Sequence, residues 1–507
     1  MKICILGGGT AGWMAALCIQ KRQPEHEIIV VESSRIGIIG TGEGTTGLFA
    51  DIMSKVLGLS EEDFLINTGA TQKLGNRFHN WRGDGTSFIA PLDNTHTSLS
   101  PVDTTLIYHC RYHEKDQVHL TTQCGQLADR GLTSFRHDGG EVLPIHGYHF
   151  DGHLVGAYFR RISVAQGAEV IDSEYTHCKR REDGSVALIH LANDQTVEAD
   201  VFVDATGFAR CLGQEVGAGW HSFSDSLSCD RAMPFHLPHL PKIDALTEAH
   251  ALSSGWMWRI PVQARRGCGY VFDSNFITAD QAQAEIETVL GHPIDPIKVI
   301  KFEPGRVEHT FCHNVVTIGL AGCFLEPLQA TNLHGTLIQI QKMVEYWLRP
   351  EGLAGPLETK NLNREITRVF DDFANLIQIH YHSGRSDTEF WRHQQAVPLL
   401  PTAATMQEIC QRRWPVHDDW ALKGAAGYGV SIYPMIEYGW LDQAIKQETL
   451  ANLDGVRQQY QREVSHAEEI SRGAMSNTIL VNRLRQQGAI RPRTIPADLR
   501  KLLELGQ

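Results

Sequence analysis

Residues 2–33, KICILGGGTAGWMAALCIQKRQPEHEIIVVES, place a glycine-dense turn between two apolar runs and follow it with a helical stretch. KICIL reads as a short buried strand, GGGTAG as a turn, residues 11–22 as a helix and EIIVVES as a second, β-branched strand. Together they form a βαβ unit. Gly7 permits the tight turn, Gly9 lets a pyrophosphate approach the backbone, and Gly12 allows close packing of the helix. The helix start at Thr10 and Ala11 offers unpaired amides to phosphate. Glu32, 20 residues beyond Gly12, ends the second strand, where a carboxylate can accept from ribose hydroxyls and disfavours a 2′-phosphate. A dinucleotide site is therefore expected, and this pattern alone leaves NAD and FAD both open.

Two later glycine-bearing stretches each follow a β-type run. DATGFAR, 204–210, carries Gly207, and TIGLAGCFLEP, 317–327, carries Gly319 and Gly322; both can approach a second part of a dinucleotide or merely turn the chain. GTGEGTT, 40–46, with Gly42 and Thr45, is open to the same two readings. Residues 153–171 read as a helix leading into a strand, and 186–207 as a hairpin about Asn193-Asp194 followed by a buried strand. Strand signals return at 256–262, 268–272 and 314–320. The stretch 81–105, rich in Asp, Thr, Ser and Pro, reads mostly as loop. From about residue 333 the chain reads mainly as helix, with breaks at Pro350, Gly352 and Gly384.

The 507 residues carry 46 Lys and Arg against 59 Asp and Glu, a net charge of -13, with 42% apolar residues. This is the balance of a globular protein, and its acidity argues against nucleic acid and anionic membranes as partners. Eleven cysteines without a CxxC pair suit free thiols in a reducing compartment, so a cytoplasmic protein is expected. No run of 18 apolar residues suggests a membrane span.

GWMWRIPV, 255–262, sets Trp256, Trp258 and Ile260 on one strand face and Met257 and Arg259 on the other, with Pro261 ending the run. Two indoles on one face make a wide, rigid apolar wall, or simply a core strand. GATQKLGNRFHNW, 69–81, places Lys73 in a loop or helix end, where a surface position is the default.

With the nucleotide turn, TGEGTT, ATQKLG, WMWRIP, DATGF, AGCFLEPLQAT and RSDTEFW (385–391) in this order, the chain resembles the flavin-dependent halogenases, especially the tryptophan halogenase family. The resemblance runs from residue 1 to about 391 and more loosely to the end. WMWRIP matches the Trp-x-Trp-x-Ile-Pro signature that separates halogenases from related flavin monooxygenases. The resemblance implies an α/β fold: an FAD-binding Rossmann-type body with mixed sheets and a largely helical substrate-binding part. The expected organisation is an FAD-binding segment at 1–80, a substrate-side insertion at 81–145, a continuation of the FAD-binding body at 146–332 and a mainly helical region at 333–507.

The resemblance also implies reduced FAD supplied by a separate flavin reductase, and chloride or bromide as co-substrate. Reaction with oxygen gives a flavin hydroperoxide, and halide attack on it gives hypohalous acid. That acid travels through a tunnel to the matching lysine, Lys73, while Trp256, Trp258, Ile260 and Pro261 form a barrier between flavin and a small aromatic substrate. Lys73 acts either by hydrogen bonding to the halogen or, as a free amine, by carrying it as a haloamine; burial favours the second by lowering the lysine pKa.

In tryptophan halogenases the 326–332 segment reads Glu-Pro-Leu-Glu-Ser-Thr-Gly. Here Gln329 stands in place of the second Glu, Ala330 in place of Ser and Asn332 in place of Gly, with Thr331 kept. Gln keeps hydrogen bonding but neither charge nor useful basicity. By the resemblance, Gln329 is the partner of Lys73, and the halide binds near the backbone of Thr331 and Asn332. An electron-rich ring, an indole or tryptophan-like compound, is the expected substrate. Monomer and homodimer both remain open.

His146, His149 and His153 invite a metal reading, but no Cys or compact carboxylate set completes it and no metal is expected. The pair Asp418-Asp419 and the group His109, Tyr112 and His113 are assigned no role. The rival readings are a flavin monooxygenase hydroxylating an aromatic substrate and a non-catalytic flavoprotein that binds an aromatic ligand.

Overall fold

The strand Lys2–Leu6 lies inside a six-stranded sheet and pairs in parallel with Glu27–Glu32 on one side and Val201–Asp204 on the other. Glu169–Asp172 and Val315–Thr317 extend the sheet in parallel, and Phe311–Cys312 closes one edge antiparallel. Strands covered on both faces need continuous apolar runs, which is why KICIL and IIVV lack alternation. In this computed structural model the described residues are 1–37, 40, 42–92, 118–138, 146–413, 419, 428–441 and, with gaps, 458–486.

The helix Thr10–Arg22 follows the glycine turn, and Gly152–Ala165, N-capped by Asp151, packs beside it. The hairpin Val186–Leu191 to Thr196–Glu198 turns through Asp194 at φ 63°. The α/β architecture, with mixed sheets and a large helical part, is the one expected. The longest helix, Pro356–Tyr381, begins with Pro at its first turn and buries Phe370, Phe373, Ile377 and Tyr381.

A seven-stranded sheet runs in the order Ile300–Lys301, Arg231–Pro238, Arg265–Phe272, Gly255–Pro261, Leu246–Ala251, Gly75–His79, Ser87–Pro91. All its pairs are antiparallel except Leu246–Ala251 with Gly75–His79. Ser87–Pro91 falls where the composition suggested loop, and its hairpin with Gly75–His79 crosses residue 80. RAMPFHLP and LTEAHA are poor in strand-forming residues, yet each is held between neighbours on both sides.

A small third sheet joins Glu43–Gly44, Gly147–Phe150 and Thr71–Lys73. Lys73 therefore ends a strand rather than a loop, because its backbone pairs with Gly147.

Candidate active site

The glycine turn is shaped for an anion. Gly7 sits at φ +121°, and a side chain there would strike the Ala205 carbonyl at 2.3 Å. A Cβ on Gly12 would lie 1.9 Å from the Gly7 oxygen, whereas at Gly9 nothing lies within 4 Å. Gly9 caps Thr10–Arg22 without a side-chain bond, no acid occupies the first turn, and the amides at Thr10 and Ala11 belong to the first turn, which has no intrahelical acceptors. Two other stretches converge here: Ala205 abuts Gly7, and Gly319, at φ +65°, would bring a Cβ within 2.9 Å of Ala11.

The other proposed cofactor residues divide. Glu32 stands beside the turn with one oxygen accepting from Trp13 Nε1 at 3.2 Å and the other from Arg160 at 2.7 Å. Gly207 takes a left-handed backbone at φ +64° with nothing within 4 Å of a built Cβ, while Gly322 packs on Gln339. Gly42 packs on Ile260 and Gly267, linking this region to the tryptophan strand. Thr45 is buried, and its hydroxyl accepts from the Tyr148 amide at 2.7 Å, so this side chain ties two strands together.

One face of the seven-stranded sheet forms the wall. Register places Trp256 opposite Val271, Trp258 opposite Gly269, Ala249 beside Trp258, and Thr247 beside Asn76. Since side chains alternate across a strand, Asn76, Phe78, Thr247, Trp256, Trp258 and Ile260 share this face. Gly269 is required there, because a Cβ would lie 2.1 Å from the Trp258 ring. Pro261 ends the strand, and its carbonyl accepts from Thr71 Oγ1 at 2.6 Å.

Lys73 is 1% exposed. Burial alone lowers its pKa from 10.5 to about 7, and no carboxylate pairs with it among the described residues. Its Nζ lies against Gly44, where a built Cβ would be 3.1 Å away.

The 326–332 loop is fixed by the wall. Glu326 is buried and accepts from Trp256 Nε1 at 3.0 Å and from Tyr381 OH at 2.8 Å, and burial raises its pKa to about 7. Gln329 and Ala330 both adopt φ 60°, a left-handed backbone unusual for such residues. The Gln329 oxygen accepts from Asn76 Nδ2 at 2.7 Å, and its Nε2 donates to His380 Nε2 at 3.3 Å. His380, whose pKa burial lowers to about 3, is the neutral acceptor, and its Nδ1 lies 2.9 Å from Tyr438 OH. The carboxamide is thus engaged at both ends, and among the described residues no hydrogen bond joins it to Lys73. Thr331 opens the helix Thr331–Lys342, and its amide donates to the Leu328 carbonyl. Asn332 closes the loop, donating to the Glu326 carbonyl at 3.1 Å and accepting from the Leu325 amide at 3.4 Å.

The model of the tryptophan halogenase family matches residues 2–430. The chain belongs to that family. RebH of Lentzea aerocolonigenes, a tryptophan 7-halogenase, is 32% identical over 432 residues, 80% of each chain. Among solved structures, Tar14, a tryptophan C-6 flavin-dependent halogenase from taromycin biosynthesis, has a TM-score of 0.86 at 26% identity, covering 96% of this chain and 99% of its own. Xcc4156, a flavin-dependent halogenase from Xanthomonas campestris, has a TM-score of 0.84 at 26% identity, covering 95% and 98%.

As a member of the tryptophan halogenase family the protein is an oxidoreductase that works with FAD and halide. The open amides and clear space at Gly9 fit a pyrophosphate. No described helix is long and apolar enough to cross a membrane.

The three histidines of 146–153 diverge. His146 meets Glu61 at 2.8 Å, His149 meets Thr247 at 2.8 Å, and His153 packs beside Gly40. Asp419 pairs with Arg413 at 2.6 Å; Asp418, His109, Tyr112 and His113 lie outside the described residues. Among the described residues one cluster, His79, Glu248 and His250, brings potential metal ligands together, on the face opposite the tryptophans. The Arg259 guanidinium already bonds Glu248 and His250 there, so a cation occupies that ground.

Sequence reasoning did not single out Asn76, Thr247, His380 or Tyr381, and it left Glu326 without a partner. Register brings Asn76 beside Thr247 when strands 75–79 and 246–251 are set side by side, while His380 and Tyr381 reach Gln329 and Glu326 from the end of the helix Pro356–Tyr381, which no local pattern signals.

Proposed function

We propose that this halogenase installs chloride or bromide on an electron-rich aromatic ring, an indole or tryptophan-like compound, through Lys73. The carrying observation is a fully buried amine with no carboxylate partner among the described residues, beside a sheet face lined by two indoles. The substrate class follows RebH and Tar14, whose names specify tryptophan. A separate flavin reductase is the proposed source of reduced FAD, and bound reduced FAD with oxygen and halide supplies hypohalous acid.

The chain's own residues do the rest. Gly7, Gly9, Gly12 and the amides at Thr10 and Ala11 hold the pyrophosphate, Glu32 meets the ribose, and Gly207 and Gly319 give the remaining backbone close approach, while Gly42 and Gly322 serve packing. With the Thr331 amide committed to the Leu328 carbonyl, the halide is held beside Thr331 by the backbone N–H of Asn332 in the same first turn, next to the left-handed Ala330. Trp256, Trp258, Ile260 and Pro261 keep the aromatic substrate from the flavin side.

Lys73 acts as a free amine. Its nitrogen attacks the halogen of hypohalous acid, an N–halogen bond forms, the halogen–oxygen bond breaks, and hydroxide leaves with an amine proton as water. The ring then attacks the halogen, and its displaced proton ends on the lysine nitrogen, restoring the amine. This balance needs no carboxylate base, which accommodates Gln329.

The test supplies enzymatically reduced FAD, oxygen and bromide or chloride with a panel of indoles and phenols. Halogen isotope patterns in the product by mass spectrometry are expected. Hydroxylated product without halogen refutes the reading in favour of a monooxygenase, and no product across the panel favours a binding role.

A further inference from the structure

With Gln329 held by Asn76 and His380, the Lys73 amine needs another group to orient it, and the third sheet supplies a candidate. His149 pairs with Thr71 on one side and Gly44 on the other, and Lys73 lies two residues beyond Thr71 on the same face. Lys73 and His149 are therefore diagonal neighbours, within reach of a long side chain. A Cβ built on Gly44 would lie 3.1 Å from Lys73 Nζ and 3.3 Å from Thr247 Oγ1, so the amine and the hydroxyl bracket one point from two sheets. His149 Nε2 shares a 2.8 Å hydrogen bond with that same Thr247 oxygen. His149 is fully buried, and its Nδ1 has no partner among the described residues.

We propose that the Thr247 hydroxyl, held by His149, is the positioning group for the Lys73 amine and takes the place that a carboxylate would fill. A hydroxyl suits this task because it accepts from an ammonium and donates to a free amine. His149 remains neutral: burial first, and then the neighbouring lysine, keep its pKa well below 6.5. A second cation would oppose the first, so His149 acts by fixing the hydroxyl. The other titratable groups packed around the lysine face elsewhere among the described residues. Glu43 directs its carboxyl to Gly152, and Glu326 is bonded to Trp256 and Tyr381.

The inference rests on the reading of Lys73 as the halogen-carrying amine, but its test does not require turnover. FAD-loaded protein labelled with 13C at lysine Cε is titrated by NMR, with the Lys73 signal assigned by its loss in Lys73→Met. A neutral acceptor favours the ammonium, so Thr247→Val is expected to move the Lys73 midpoint to lower pH by roughly 0.5–1. Thr247→Ser, which keeps the hydroxyl, restores it, and His149→Phe shifts it in the same direction as Thr247→Val. Gln329→Ala leaves the midpoint in place. An unmoved midpoint in Thr247→Val, or an equal shift in Gln329→Ala, overturns the inference. Absence of halogenation by the unaltered protein would instead overturn the reading of function and leave the titration result standing.

Discussion

Asn76 and Gln329, 253 residues apart in the chain, are joined by a 2.7 Å hydrogen bond that ties the 326–332 loop to the tryptophan-bearing sheet. With His380 on its nitrogen, Gln329 works as a strut for a loop whose backbone is left-handed at two non-glycine positions. Asn76→Ala removes the donor and leaves the Gln329 oxygen unpaired. The expected cost is about 1–2 kcal/mol of stability in denaturant unfolding, with halogenation reduced and FAD affinity retained. An unchanged midpoint and unchanged turnover would remove the strut from the account.

Gly9 has clear space where a side chain would point. Gly9→Ala is therefore expected to leave the melting temperature of the FAD-free protein nearly unchanged while weakening FAD binding, since the methyl group enters the space assigned to the pyrophosphate. Fluorescence titration of FAD against thermal melts separates the two effects. Equal FAD affinity in the variant would move the pyrophosphate elsewhere.

Glu326 satisfies two buried donors, Trp256 Nε1 and Tyr381 OH. Glu326→Ala leaves Trp256 Nε1 unpaired and Tyr381 OH with only the Cys229 sulfur at 3.3 Å, and a loss of roughly 1–3 kcal/mol is expected. Trp256 is then no longer fixed, so more hypohalous acid should escape to a small diffusible trap in solution. Calorimetry reads the first effect and trap halogenation the second; a variant as stable and as tight as the parent contradicts both.

Lys73 titrates at about 7 in the folded protein against an ordinary 10.5. Between these values the unfolded chain binds a proton that the folded protein does not, so this group raises stability as pH climbs from about 7 toward 10.5, and its penalty is complete below 7. Lys73→Met should therefore gain most in melting temperature over the parent near pH 6 and least near pH 10. Under the proposal that the free amine carries the halogen, kcat of the parent should rise through about pH 7. A rate that falls through that pH assigns the work to the ammonium.

The nucleotide turn, the buried parallel strands and the alternation of WMWRIP were legible because each is a local pattern: glycines at fixed offsets, apolar runs, a period of two. Arg231–Pro238 and Leu246–Ala251 were not, since two prolines in the first and Ala, Glu and His in the second carry no strand signal without their neighbours. Lys73 reads from sequence as a loop or helix end for the same reason, its strand being three residues long and created by pairing with 147–149. The substitution at 329 was plain in the sequence, but its direction was not: only the fold shows the carboxamide meeting Asn76 and His380.

The central claim is that oxidised halogen reaches the Lys73 amine before it reaches the ring. Mass spectrometry of products from the parent and Lys73→Met, each loaded with FAD and given reduced flavin, oxygen, bromide and indole, tests it most directly. Bromoindole is expected from the parent and none from Lys73→Met, with FAD affinity equal in both. Bromoindole formed by Lys73→Met at the parent's rate and regiochemistry would contradict it.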